Sequence, residues 1–158
     1  MCKIEREQFR GCLTLKEVVI DDSVEEIDDL AFCGCKNLQK VVFPPNLKRI
    51  GNRAFEGCYA LADVTIPEGV EYIGERGFSW CYALKEIIIP ESVPVVMPDT
   101  FFRCLALQKV RIPRATKVYA SAFAETGADI DRYISLAKAK ELQCEELEKI
   151  AQKYGQKL

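Results

Sequence analysis

Histidine is absent from all 158 residues of the chain. No imidazole is therefore available as a general base, as the partner of a Ser or Cys nucleophile, or as a zinc ligand. The side chain that most often changes charge near neutral pH is missing too. Neither of the glycine-rich phosphate signatures, G-x-x-x-x-G-K-[ST] and G-x-G-x-x-G, occurs. No apolar run approaches the ~18–20 residues needed to span a bilayer, so membrane insertion is not expected. Neither sign of charge dominates: 22 Lys and Arg stand against 24 Asp and Glu, a net charge of −2. Nothing in that balance favours nucleic acid or an anionic membrane. The opening stretch, Met1-Cys2-Lys3-Ile4-Glu5-Arg6-Glu7-Gln8, is charged and lacks the apolar core of an export signal. The expected compartment of the chain as given is the cytoplasm, with the cell surface or exterior the alternative if it is a piece of a longer protein. The carboxylates sit in surface columns rather than around a cleft, so paired-acid glycoside chemistry is not indicated. No enzymatic activity, metal or cofactor is expected.

What the chain does have is repetition. Cys12, Cys35, Cys58, Cys81 and Cys104 are spaced 23 residues apart. Phe9, Phe32, Phe55, Phe78 and Phe101 precede them by three positions, and Leu15, Leu38, Leu61, Leu84 and Leu107 follow by three. Val18, Val41, Val64, Ile87 and Val110 form a further column, as do Ile20, Phe43, Ile66, Ile89 and Ile112. Pro44, Pro67, Pro90 and Pro113 close that run. Written once, the unit is L-x-x-V-x-I-P-x-x-V-x-x-I-G-x-x-A-F-x-G-C. A fixed period in this range marks a stacked-repeat architecture. About five such repeats begin near Phe9, and a one-residue deletion near Ala115 places Val118 in the isoleucine column.

Each residue type has a physical role in the unit. The alternation in L-x-x-V-x-I predicts a short strand with one face buried, and proline, which cannot donate to a ladder, ends it. V-x-x-I predicts a second extended or turning segment, with the following glycine suited to a positive φ. A-F-x-G-C turns the chain back and sends its phenylalanine into the core. Stacking at about 4.8 Å per rung buries each column continuously.

Eight cysteines in a short chain invite a disulfide framework. Membership of one column argues against it: stacked neighbours would lie about 4.8 Å apart, against a Cβ separation of ~3.8 Å in a disulfide. The ladder thiols are expected to be reduced and buried as small hydrophobes. Cys33, in a variable column, is expected to be the most reactive together with Cys2 and Cys144.

This unit resembles that of the leucine-rich repeat superfamily, in particular its BspA-type subgroup of bacteria and some protozoa. The resemblance implies a right-handed α/β repeat solenoid with a parallel sheet on its concave side. It also implies an interaction module, with adhesins common among secreted members. On that basis the expected function is non-catalytic binding of another protein through the concave sheet. The alternative is a structural segment of a larger adhesin that binds host or extracellular-matrix proteins.

The outward residues of the strand form the candidate site. The central column is Val19, Val42, Thr65, Ile88 and Arg111, and beside it run Glu17, Lys40, Asp63, Glu86 and Lys109. A contiguous exposed apolar strip marks an interaction surface, although β-branched residues also favour strands for their own sake. The charged column alternates in sign except at Asp63 and Glu86. A lateral ladder, Glu25-Lys48-Glu71 beside Glu26-Arg49-Tyr72, reads as surface pairing of little individual weight. Trp80 replaces the glycine found at Gly11, Gly34 and Gly57, and is either a convex-side plug or a binding anchor.

Residues 1–127 are assigned to the solenoid. From 128 to 158 the composition favours helix, as one bent helix or two, read as a cap over the solenoid end or as a dimerisation element. The N-terminal end has little cover, so a homodimer through a solenoid end or through the C-terminal helices is a further expectation.

Overall fold

A computed structural model describes residues 2–127. The expected strands form where β-branched residues alternate: β2 (Glu17–Val19), β4 (Lys40–Val42), β6 (Asp63–Val64), β8 (Glu86–Ile88) and β10 (Lys109–Arg111). The V-x-x-I segments are also strands: β3 (Val24–Ile27), β5 (Arg49–Ile50), β7 (Tyr72–Ile73), β9 (Val95–Val96) and β11 (Lys117–Val118). All pairing is parallel, in the register of the 23-residue period: Val18 lies beside Val41, and Ile27 beside Ile50. Val118 pairs with Val96, as the deletion near Ala115 requires. The result is a parallel β-solenoid of about five turns. Its rungs have two sheet faces and one face of turns. The helical assignment for 128–158 lies outside the described residues.

The N-terminal segment departs from expectation. Cys2–Ile4 is a strand, β1, paired with β3, and Ile4 is buried beside Ile27. Ile4 stands 23 residues before Ile27 and belongs to the isoleucine column. The repeat therefore begins at about residue 2, not at Phe9.

The core is a set of stacked columns. Six phenylalanines, Phe9, Phe32, Phe55, Phe78, Phe101 and Phe123, form one pile with centroids 5.1–5.6 Å apart and planes within 14°. The spacing follows the rung separation, and it puts each ring face against the next.

Glycine acts differently from the expectation. Gly51 and Gly74 are not at positive φ; they are needed because a Cβ at Gly51 would lie 2.6 Å from Asp29 N, and one at Gly74 2.5 Å from Asn52 N. The Asp29 and Asn52 side chains fill this space, accepting the N–H of Asn52 (2.8 Å) and Glu75 (2.9 Å) one rung on. Positive φ occurs elsewhere in the turns, at Gly11, Gly34 and Gly57 and at Leu30, Arg53 and Arg76.

Candidate functional site

The outward side chains of β2, β4, β6, β8 and β10 lie where alternation places them. Val18 is half-buried and Val41, Val64, Ile87 and Val110 are buried; their neighbours face solvent. Val19 is 78% exposed, Val42 40% and Ile88 47%, with Thr65 and Arg111 also exposed. Three of the five large exposed hydrophobics among the described residues therefore belong to this one column.

Glu17, Lys40, Asp63, Glu86 and Lys109 are exposed alongside. Of the opposite-sign neighbours, Lys40 and Asp63 close to 3.3 Å. Glu17 and Lys40, and Glu86 and Lys109, are register neighbours without an ion pair. Beside Asp63 and Glu86 is a shallow hollow of about 430 Å³, lined also by Thr65, Glu68, Lys85 and Ile88. A second hollow of about 420 Å³ shares Ile88 and Glu68 and runs on to Glu91, Arg111 and Pro113. Glu68 and Glu91 were not apparent as site residues because they follow the prolines, outside the alternating strand. Their signal was position: each stands one residue after a strand-ending proline.

Trp80 lies elsewhere. It sits in a turn with φ at +66°, an uncommon conformation for a bulky residue. Its ring is half-buried, 6.2 Å from Tyr82 and 6.5 Å from Phe102, with the Arg103 guanidinium 5.3 Å away. All these contacts are in the turn columns, so the structure does not bring Trp80 together with the strip. Tyr59 and Tyr82 stack nearby at 4.9 Å.

Among the described residues no group of three or more His, Cys, Asp or Glu side chains is arranged to hold a metal ion. No helix among them is long and apolar enough to cross a membrane.

The profile of the BspA type Leucine rich repeat region matches residues 2–128 in six copies. The chain belongs to the BspA-type leucine-rich repeat family. The matched region starts at residue 2, where β1 lies, and not near Phe9. A leucine-rich repeat protein of T. pallidum is 33% identical, with a TM-score of 0.71 over 73% of this chain and 54% of that one. A leucine-rich repeat protein from Bacteroides ovatus is 36% identical, with a TM-score of 0.70 over 73% of this chain and 30% of that one. A leucine rich cell surface protein from Faecalibacterium prausnitzii is 28% identical, with a TM-score of 0.70 over 81% of this chain and 36% of that one. The chain thus spans between about a third and a half of the length of these structures. No curated protein matches it.

The BspA-type cysteine column has a hydrogen-bonding purpose. Each buried thiol donates to the carbonyl of the phenylalanine one rung back: Cys35 to Phe9 (3.1 Å), Cys58 to Phe32 (3.2 Å), Cys81 to Phe55 (3.4 Å) and Cys104 to Phe78 (3.2 Å). Each of these carbonyls also accepts a backbone N–H, Phe32 from Cys35 at 3.1 Å for example, so the thiol is a second, weak donor to an oxygen with two lone pairs. All seven described cysteines are free. Burial pushes the Cys35 thiol up to about 11 and Cys104 up to about 12, and drives Cys58 and Cys81 well above the ordinary range.

The expectation for Cys33 needs correction, while Cys144 lies outside the described residues. Cys33 is half-buried, and burial reinforced by the Glu56 carboxylate raises its pKa. Cys12 has no earlier phenylalanine to bond; it meets the Thr14 hydroxyl at 3.3 Å, and that contact with the Thr14 N–H lowers its pKa. In the folded protein, N-ethylmaleimide is expected to label Cys2 and Cys12 first and to spare Cys35, Cys58, Cys81 and Cys104 until unfolding. Peptide mapping of the alkylated cysteines checks this. Equal labelling of Cys12 and Cys81 would contradict the thiol ladder.

Proposed function

We propose that this chain is a non-catalytic protein-interaction module that docks its partner on the sheet face formed by β2, β4, β6, β8 and β10. The observation that carries this reading is the exposed column Val19, Val42, Thr65 and Ile88 on a sheet whose inward residues are already packed. Strand propensity accounts for β-branched residues there, but not for a row of them left uncovered. With the curvature implied by the family, this is the inner, concave face of a right-handed solenoid. The flanking Glu17, Lys40, Asp63, Glu86 and Lys109 would fix the partner's register, since rim charges act mainly on specificity and association rate. Trp80 is assigned to the turn face as a packed plug between Tyr82 and Phe102.

A second reading is a repeat segment of a larger cell-surface adhesin. It is favoured by the match to about a third of the length of a leucine rich cell surface protein. The buried, desolvated thiols suit either the cytoplasm or an oxidising exterior, because thiolates, not thiols, react. Self-association is a third outcome: β1 is an edge strand of its sheet among the described residues, and strand edges recruit strands.

Val42→Asp with Ile88→Asp is the test. Both positions are exposed, so the fold should hold, with single surface changes worth about 0.5 kcal/mol. Partner capture in a pull-down from the source cell should fall at least about tenfold, the effect expected of losing two central contacts. Unchanged capture by a folded double variant would reduce the strip to strand chemistry alone.

A further inference from the structure

The rungs are not joined equally. Both sheets stop at the same place: the first runs β2-β4-β6 and resumes as β8-β10, and the lateral sheet runs β1-β3-β5-β7 and resumes as β9-β11. Elsewhere on the first face the carbonyl of Lys16 accepts Gln39 and Lys40 N–H, that of Gln39 accepts Ala62 and Asp63, and that of Lys85 accepts Gln108 and Lys109. The corresponding pair from Lys85 and Glu86 to Ala62 is absent among the described residues.

Sequence explains the break. Asp63 and Glu86 are the only like-charged neighbours in the charged column, and like charges facing across a sheet are destabilising. On the lateral face, Lys48 N–H donates to Glu25 (2.8 Å) and Glu71 N–H to Lys48 (2.9 Å). The next residue in that column is Pro94, which has no N–H to give. Gly51 and Gly74 fill the close-approach column, and the next member is Met97, whose Cβ cannot sit as near the preceding rung as a glycine. The N–H bonds of Gly51 to Ile27 and Gly74 to Ile50 are not continued by Met97.

The turn face behaves differently. Phe78 N–H donates to Thr100 (2.9 Å) and Trp80 N–H to Phe102 (2.8 Å) across the same junction. The Cys104 thiol reaches the Phe78 carbonyl, and Arg103 covers Trp80. The ring pile continues, but Phe78 to Phe101 is its widest step at 5.6 Å.

We infer that this junction is a hinge: its two sheet faces lack the backbone ladder and the lateral one is joined by side chains, the Ser92 hydroxyl donating to the Val70 carbonyl (2.6 Å) and Tyr72 packing with Val95 and Met97, while the turn face from Phe78 to Arg103 stays latched by backbone bonds. The seam runs under the hollow between Asp63 and Ile88, so its opening sets the width of that hollow. The inference stands whether or not the strip binds a partner.

Hydrogen exchange followed by mass spectrometry on the whole chain tests it. The bonded amide of Gly74, at the seam edge, is expected to exchange at least about tenfold faster than that of Gly51, its equivalent inside the first block. Phe78 and Trp80 amides should remain protected, and Cys104 should resist alkylation. Pro94→Glu restores the missing donor and should slow exchange at Gly74. Equal exchange at Gly51 and Gly74, or no slowing in a folded repair variant, overturns the hinge. Exchange at Phe78 and alkylation of Cys104 in step with Gly74 would also overturn it, because the blocks would then part bodily.

Discussion

Phe55→Ala is expected to lower stability by about 3–5 kcal/mol, the range for removing a fully buried aromatic ring. Phe55 has no solvent exposure. It stacks on Phe32 at 5.1 Å and Phe78 at 5.3 Å, and Phe43 meets its edge at 5.6 Å. Its removal empties the middle of a pile in which each ring is held by the one before and after. The neighbours cannot collapse into the gap, because their spacing is tied to backbone bonds such as Phe32 N–H to Ala54 and Phe55 N–H to Gly77, both 2.8 Å. The cavity term should therefore be near the upper end of its range. In a chain of this length the midpoint of thermal unfolding would fall on the order of 10 °C. Phe55→Leu, which keeps most of the volume, should cost less than about 1.5 kcal/mol. Val19→Ala, exposed on the sheet face, serves as the control. Chemical denaturation of the three variants checks the ranking; a loss below about 1 kcal/mol for Phe55→Ala would mean that the pile is not what holds the rungs together.

The parts of this molecule that could be read without coordinates are those in which one residue type recurs at one position. The phenylalanine and cysteine columns were of this kind, because stacking places like on like and any other residue would interrupt a continuous row. The exposed strip was legible for the same reason: once Val41 and Val64 are inward, period two sends Val42 and Thr65 outward. Ile4 was legible in principle but overlooked, since only half a unit surrounds it. Gly51 and Gly74 were placed correctly and explained wrongly, because a glycine needed for close approach looks the same in sequence as one needed for positive φ. Trp80 shows the converse, taking a left-handed conformation that its side chain disfavours because rung geometry demands it. The seam left a partial trace in Asp63 and Glu86. Its cause emerged only when Pro94 and Met97 were set against the bonds that their columns make elsewhere.

Arg49 is where column reasoning failed most instructively. Between Glu26 and Tyr72 it reads as a surface charge, yet it is only 8% exposed. Its partners are not the register neighbour Glu26 but Asp29, 3.1 Å from Nη2, and Asp28, 3.6 Å from Nη1, with the Tyr72 ring 5.5 Å from the guanidinium carbon. Asp29 also accepts the Asn52 N–H, so the guanidinium supports the carboxylate that spans two rungs. Arg49→Leu would leave two adjacent carboxylates without their shared cation. A fully buried pair broken this way costs about 3–5 kcal/mol. Here the carboxylates are a fifth to a quarter exposed, so a loss of about 2–3 kcal/mol is expected at neutral pH. Burial pushes the Asp28 carboxyl up, but the Asp29 N–H, Arg49 and Lys3 together outweigh it and hold the group below its ordinary value of 3.8. A depressed carboxyl stabilises the fold above its unfolded pKa, and that contribution disappears as pH falls through the folded value. The gap between wild type and Arg49→Leu should therefore be widest near pH 7 and narrow steadily below about pH 4. Asp29→Asn in the Arg49→Leu background should recover part of the loss by removing a charge that Arg49 had balanced while keeping an oxygen for Asn52 N–H. Urea unfolding across that pH range decides the matter: a gap independent of pH would assign the effect of Arg49 to packing over Tyr72 and not to the charges it separates.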